Sequence, residues 1–466
     1  MKINMKKIFF FCAAFLLFHG GFINAQEDAE QSSSGAEEAA RARQVAEETR
    51  LATIKYGTET EIAALIQNLK DEGADYLDDE LVVLAEKTRN QKILSGVFAF
   101  FGEREKSGLE ERAMRAISER DTEMGETVLS AVDYLGKVKA RQALPVLKEL
   151  LDSEERRFMN TAFRALGRAG GDEERDETCE YLVDYYTNGE PGDENRRDIL
   201  IAVGETRSSA GVEFLAGIAG DSDQRLPLRM AALESLAKIG DDEGLEAILE
   251  AVTADDPNLR ASAVAALGPF SGENVDLAIL EAFRDSFYRT RLAAAQASRE
   301  RRLEVAVPYL KFRAERDDVP QVKDEAIRAL GAIANHEANE IINALFTERK
   351  NSDRVRLVAA EALMKNEPGQ YLDQLIIELD EAKKKNQNPL YNGFLKILGE
   401  SRDGGIEAVT RRLMTSGGII EMSYALDMAA NNNLTSLSEE IKKLAENKNE
   451  SIARKARRTM EKLGIE

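Results

Sequence analysis

Tryptophan is absent from this 466-residue chain, and histidine and cysteine occur only twice each. With His19 directly after an apolar amino-terminal run, His336 stands alone in the rest of the chain, which excludes the multi-histidine zinc and iron sites that need three or four convergent ligands. Cys12 lies in the same run, so Cys179 has no partner for an internal disulfide and reads as a small buried hydrophobe. Aromatic residues make up 6% of the chain and never alternate usefully with β-branched ones, which removes the signals of strands. Beyond the amino terminus no apolar stretch is long enough for a membrane helix. Basic residues are outnumbered 63 to 84, and a formal charge of −21 argues against nonspecific binding of nucleic acid or anionic lipid.

The chain opens with Lys2, Lys6 and Lys7, an apolar run from Ile8 to Phe18, and a small Ala25 ahead of acidic residues. That layout predicts a secretory signal peptide over 1–25, and hence export, to the periplasm of a diderm bacterium or beyond. Loss of three lysines moves the charge from −21 to −24. Residues 26–48 read as an acidic, low-complexity linker, poor in hydrophobics and predicted disordered near "EQSSSGAEE".

What the chain has in abundance is repetition. The stretch Leu259 to Gly268, "LRASAVAALG", recurs in looser spelling with origins at Leu94, Val128, Met159, Arg196, Arg229, Arg260, Arg291, Lys323, Arg356, Tyr391, Met422 and Ala453, spaced 31 to 37 residues apart. Alanine stands three residues after the origin in nine of the twelve units, and leucine commonly stands seven after it. Positions 0, 3, 4 and 7 form one helical stripe. Glycine follows at Gly102, Gly136, Gly167, Gly204, Gly268, Gly331 and Gly399, which predicts a left-handed helix end at that position. A second amphipathic stretch comes next, such as "GLEAILEAV" from Gly244, and then an acidic turn in which Asp256 suits an N-cap and Pro257 the first helical position.

The expected fold is therefore all-α, a solenoid of about 12–13 helix pairs over 94–466. Residues 49–93 are read as a degenerate first unit built from "TRLATIKYG" and "EIAALIQNLK", with "DEGADYLDDE" as a polar insertion.

A basic residue, then Ala-Ala, then Ala-Leu-Gly resembles the HEAT-like repeat family, in its short bacterial PBS-lyase-type form. The match is most specific from Arg196 to Arg356. Tetratricopeptide repeats are the alternative, with a strict period of 34 and a glycine inside the helix. The HEAT resemblance implies that the Arg-bearing helices line a concave face and that the repeated basic residue forms ladders with acidic turns. It also offers two enzymatic relatives. Deoxyhypusine hydroxylases hold two irons with several His-Glu pairs, of which this chain has only His336-Glu337, placed in a turn. Bilin lyases share the repeat alone.

Two binding surfaces follow. On the helices predicted to face inward, Met230, Leu292, Leu357 and Val358 are apolar where exposure is expected, which fits either a shallow groove for a segment of another protein or packing between units. The second is a basic knot of Arg299, Arg301 and Arg302 with Arg289 and Arg313, where Arg299 replaces the repeat's glycine. No cofactor or metal is implied. The function expected is noncatalytic: an exported scaffold that binds a protein partner. The alternatives are a HEAT-like enzyme and a unit that assembles end to end, the latter suggested by an acidic amino-terminal and a basic carboxy-terminal region.

Overall fold

The computed structural model describes residues 47–189 and 191–465. The predicted leader and residues 26–46 lie outside them. Among the described residues there is no strand, and the helices come in pairs, so the chain is an α-solenoid. Residues 50–366 form one compact unit, and 367–466 belong to a second. Only Glu367 separates the helix Asp353–Asn366 from Pro368–Lys384.

Twelve first helices run from Gln91–Glu103 to Glu450–Leu463, and each repeat origin, Leu94 through Ala453, is the fourth residue of its helix. The residue three further on is fully buried in all twelve, at 0% exposure, whether it is alanine or one of the exceptions Val97, Ile199 and Phe394. Within each compact unit, successive first helices pack side by side, and most second helices pack on the first helix that follows. A single 3-10 turn, as at Asp242–Gly244, often leads into the second helix. Asp256 caps as its position suggests, accepting from the amides of Asn258 and Leu259 at 2.8 and 3.1 Å.

The glycines have a different task from the one their position suggested. Gly102, Gly136, Gly167, Gly204, Gly331 and Gly399 lie inside their helices, and none has a positive φ. A Cβ added at Gly136 would stand 2.6 Å from Cα of Ala165, and one at Gly204 would stand 2.7 Å from Cα of Ser235. Glycine is there because the next first helix crosses against it. The left-handed residue comes three positions later and is seldom glycine: Glu105, Lys139, Arg207, Arg302, Ala334 and Asn433 have φ between 49° and 54°. A glycine inside the helix therefore does not separate this repeat from the tetratricopeptide pattern.

Arg207 closes its helix at φ 54° and ψ 27°. The left-handed region costs an L-residue roughly 1–2 kcal/mol, and glycine's extra freedom when unfolded takes back about 0.5–1 kcal/mol. Arg207→Gly should leave stability unchanged or raise it by up to about 1 kcal/mol, read from the urea midpoint. A clear loss would contradict this assignment of the helix end.

In the amino-terminal unit a helix covers residues 47–56, and Glu59–Glu72, capped by a Thr58/Glu61 box, follows it and packs on Gln91–Glu103. The stretch read as an insertion is the end of Glu59–Glu72, a turn and the first residues of the next helix, Asp78–Lys87. Its polarity has a structural use, because the buried Asp78 carboxylate receives Arg104 at 2.7 and 2.9 Å and also pairs with Lys106.

Candidate functional site

The repeated basic residue is occupied by the fold. It sits one turn into the first helix, where its side chain reaches back to the carbonyls left free as the preceding second helix ends. Arg229 donates to the Ala219 carbonyl at 2.8 Å, Arg356 to that of Phe346 at 2.9 Å, and Lys323 to that of Glu315 at 3.1 Å. Arg260 and Arg291 extend this into a ladder. Arg260 binds the carbonyls of Ala254 and Asp255 and, in bidentate fashion, the Asp285 carboxylate at 2.8 and 3.2 Å. Arg291 binds the carbonyls of Asp285 and Ser286 at 3.0 Å and clasps Asp317 at 2.8 and 2.9 Å, with Asp318 at 2.8 Å. Each carboxylate also holds the turn just ahead of the next helix: Asp285 accepts from the Phe287 amide and Asp317 from the Val319 amide. Burial alone would push the Asp317 carboxyl up, but the Arg291 guanidinium and the Val319 amide outweigh it and hold it below the usual carboxylate range. The ladder is structural, as the resemblance implied.

The predicted apolar surface is unevenly placed. Met230, Leu292 and Leu357 are half-buried, whereas Val358 is buried. Met230 lines an open depression of about 430 Å³ with Pro227, Ser262 and Ala265, flanked by Arg197 and Glu234. Small residues on two successive first helices, Leu226–Ile239 and Pro257–Ala266, create it. The same helical positions counted from the repeat origin place Ala231 and Glu234, and Ser262 and Ala265 in the adjacent repeat, on the face that lines it.

The basic knot is not gathered into one surface. Arg299 turns to the next first helix and pairs with Glu325 at 2.7 Å, while Arg301 turns back to Asp276 at 2.5 Å. Residues two apart on a helix point to different sides, so consecutive arginines diverge. Arg302 is the left-handed residue that closes the helix, and its side chain is exposed. Arg313 reaches Asp317 at 3.3 Å and lies 5.0 Å from the Phe312 ring centre. Arg289 is exposed, with Asn258 at 3.4 Å and the Tyr288 hydroxyl at 3.3 Å.

His336 is exposed and Cys179 is buried. His336 begins the helix His336–Thr347 rather than sitting in a turn, is capped by Asn335, is 90% exposed and faces Glu340 at 3.3 Å. Cys179 is fully buried, and burial pushes its thiol pKa up. Among the described residues no group of three or more His, Cys, Asp or Glu side chains could hold a metal, and no helix is long and apolar enough to cross a membrane.

A family model described as "Spirochaete HEAT repeat protein" matches residues 54–459. Among solved structures, Kap121p is similar at 14% identity over 91% of this chain and 51% of that chain, with a TM-score of 0.43. Kap121p bound to Nup53p gives the same identity and coverage with a TM-score of 0.42. The chain thus spans about half the length of these structures. Human deoxyhypusine hydroxylase, in complex with glycerol, is 18% identical over 56% of this chain and 97% of that one, with a TM-score of 0.26. No curated protein matches the chain.

Proposed function

Because the chain belongs to the Spirochaete HEAT repeat protein family, we propose that it is a noncatalytic scaffold of the bacterial cell envelope that holds another protein against its first helices. The observation that carries this reading is the Met230 depression, where two adjacent helices expose small and apolar side chains on a face otherwise dressed with charge. Such a floor admits a helix or an extended segment, with Arg197 and Glu234 placed to orient it. The exposed His336 and the inert, buried Cys179 accord with binding rather than catalysis. Export rests on the composition of residues 1–25, and sequencing the amino terminus of native protein should find Gln26 first.

Crosslinking in cells from a photoreactive residue at Ser262 tests the scaffold reading. One partner should be enriched, and a Met230→Glu variant should lose it at least tenfold while its thermal midpoint shifts by only a few degrees. Crosslinks that do not change in the variant would place the contact elsewhere.

A further inference from the structure

The helix Glu450–Leu463 carries Ser451, Arg454, Lys455, Arg458 and Lys462 at intervals of three and four, so they form one stripe. The stripe borders an open depression of about 550 Å³ shared with Ile419–Asn431. On that side Lys455 is satisfied, holding Asp427 at 2.6 Å and Ser423 at 2.9 Å. Arg454 and Arg458 are exposed and make no ion pair among the described residues, in a chain with 84 acidic and 63 basic side chains.

The array itself shows what such positions hold when filled. Arg164 and Arg168 stand five and nine residues after the origin Met159, and the following first helix, Asp193–Thr206, brings Asp198 to Arg164 at 2.6 Å and Glu205 to Arg168 at 3.1 Å. Those two carboxylates are seven residues apart, two turns on one face. Both are well covered, with 7% and 11% of their side chains exposed. Arg458 and Lys462 stand at the same two positions after Ala453, and nothing among the described residues supplies the matching acids. We propose that this stripe docks an acidic helix of a partner protein, with carboxylates two turns apart, in the manner in which Asp193–Thr206 docks on Arg156–Ala169. Arginine suits that role because its fork meets a carboxylate with two parallel hydrogen bonds. The site shares no residue with the Met230 depression, so failure of the crosslinking test would leave it standing.

The probe is a fluorescein-labelled, alanine-based helical peptide with glutamates at i, i+3, i+7 and i+11, titrated with the full chain at low salt and followed by anisotropy. The paired Arg458→Gln, Lys462→Gln substitution should weaken binding at least fivefold without moving the thermal midpoint, since both side chains are exposed. A peptide with the same glutamates spread around the helix should also bind at least fivefold more weakly. Equal binding of the two peptides, or of wild type and variant, overturns the proposal. So does a result in which phosphatidylglycerol vesicles or inorganic polyphosphate bind in an arginine-dependent way while the peptide does not.

Discussion

Asp317→Ala should destabilise the chain by about 3–5 kcal/mol, the largest effect expected of any single exchange in the ladder. The Asp317 side chain is fully buried and that of Arg291 is only 7% exposed, so truncation leaves a buried cation with two carbonyls and the solvent-exposed Asp318, which satisfy only part of it. It also removes the acceptor for the Val319 amide. Asp317→Asn keeps an oxygen for that amide and should lose less. Because arrays open in sections rather than all at once, hydrogen exchange is the better measurement. Protection should fall over residues 286–333 and stay unchanged before Met159. Unchanged protection across 286–333 would show that the pair contributes nothing net.

The same pair sets an acid limit. The carboxyls of Asp285 and Asp317 are both held below their ordinary range, where burial is outweighed by arginine and by a backbone amide. A group whose folded pKa is depressed contributes stability that is present above its unfolded pKa and is lost as pH falls through the folded one. The urea midpoint should therefore be level from neutrality down to about pH 5 and decline below about pH 4. Asp317→Asn should make that decline shallower.

Gly136→Ala should cost about 1–3 kcal/mol, although alanine is the better helix former and the site is inside a helix. The added methyl meets Cα of Ala165 at 2.6 Å and Cβ at 3.0 Å. Backbone cannot rotate away, so Gly125–Lys137 and Arg156–Ala169 must separate along their contact. A glycine that merely ended the helix in a left-handed turn would be damaged by the same exchange for a local reason and would leave the neighbouring helix alone. Exchange measured over residues 156–169 distinguishes the two. Faster exchange there follows from a crossing, and exchange limited to residues 134–140 would follow from a cap.

Much of this was legible in the residues. The repeat origin fixes the register of every first helix because burial of positions 3 and 7 is a periodic demand, and periodic demands are written in composition. What the period does not state is distance. Gly136 at a helix end and Gly136 at a helix crossing look the same until the position of Ala165 is known. The stretch from Asp71 to Glu80 looked like an insertion because Asp78 is charged, yet it is buried against Arg104 and Lys106, which lie more than twenty residues away. Runs of arginine suffer similarly, since Arg299 and Arg301 are neighbours in the chain but pair with Glu325 and Asp276 on different helices. The stripe of Arg458 and Lys462 was readable as basic, and its meaning came only when Arg164 and Arg168 showed what those positions receive.

The ladder has one more consequence, which concerns how such a chain can change in length. Arg260 takes the carbonyls of residues 254 and 255, and Arg291 takes those of 285 and 286. The acceptor pair is interchangeable between these two steps. Excision of the segment between equivalent points would bring the guanidinium of one module to the carbonyls of another without altering a single bond type. Duplication would do the same in reverse. A lineage built on this linkage can gain or drop modules by recombination while its joints remain chemically identical.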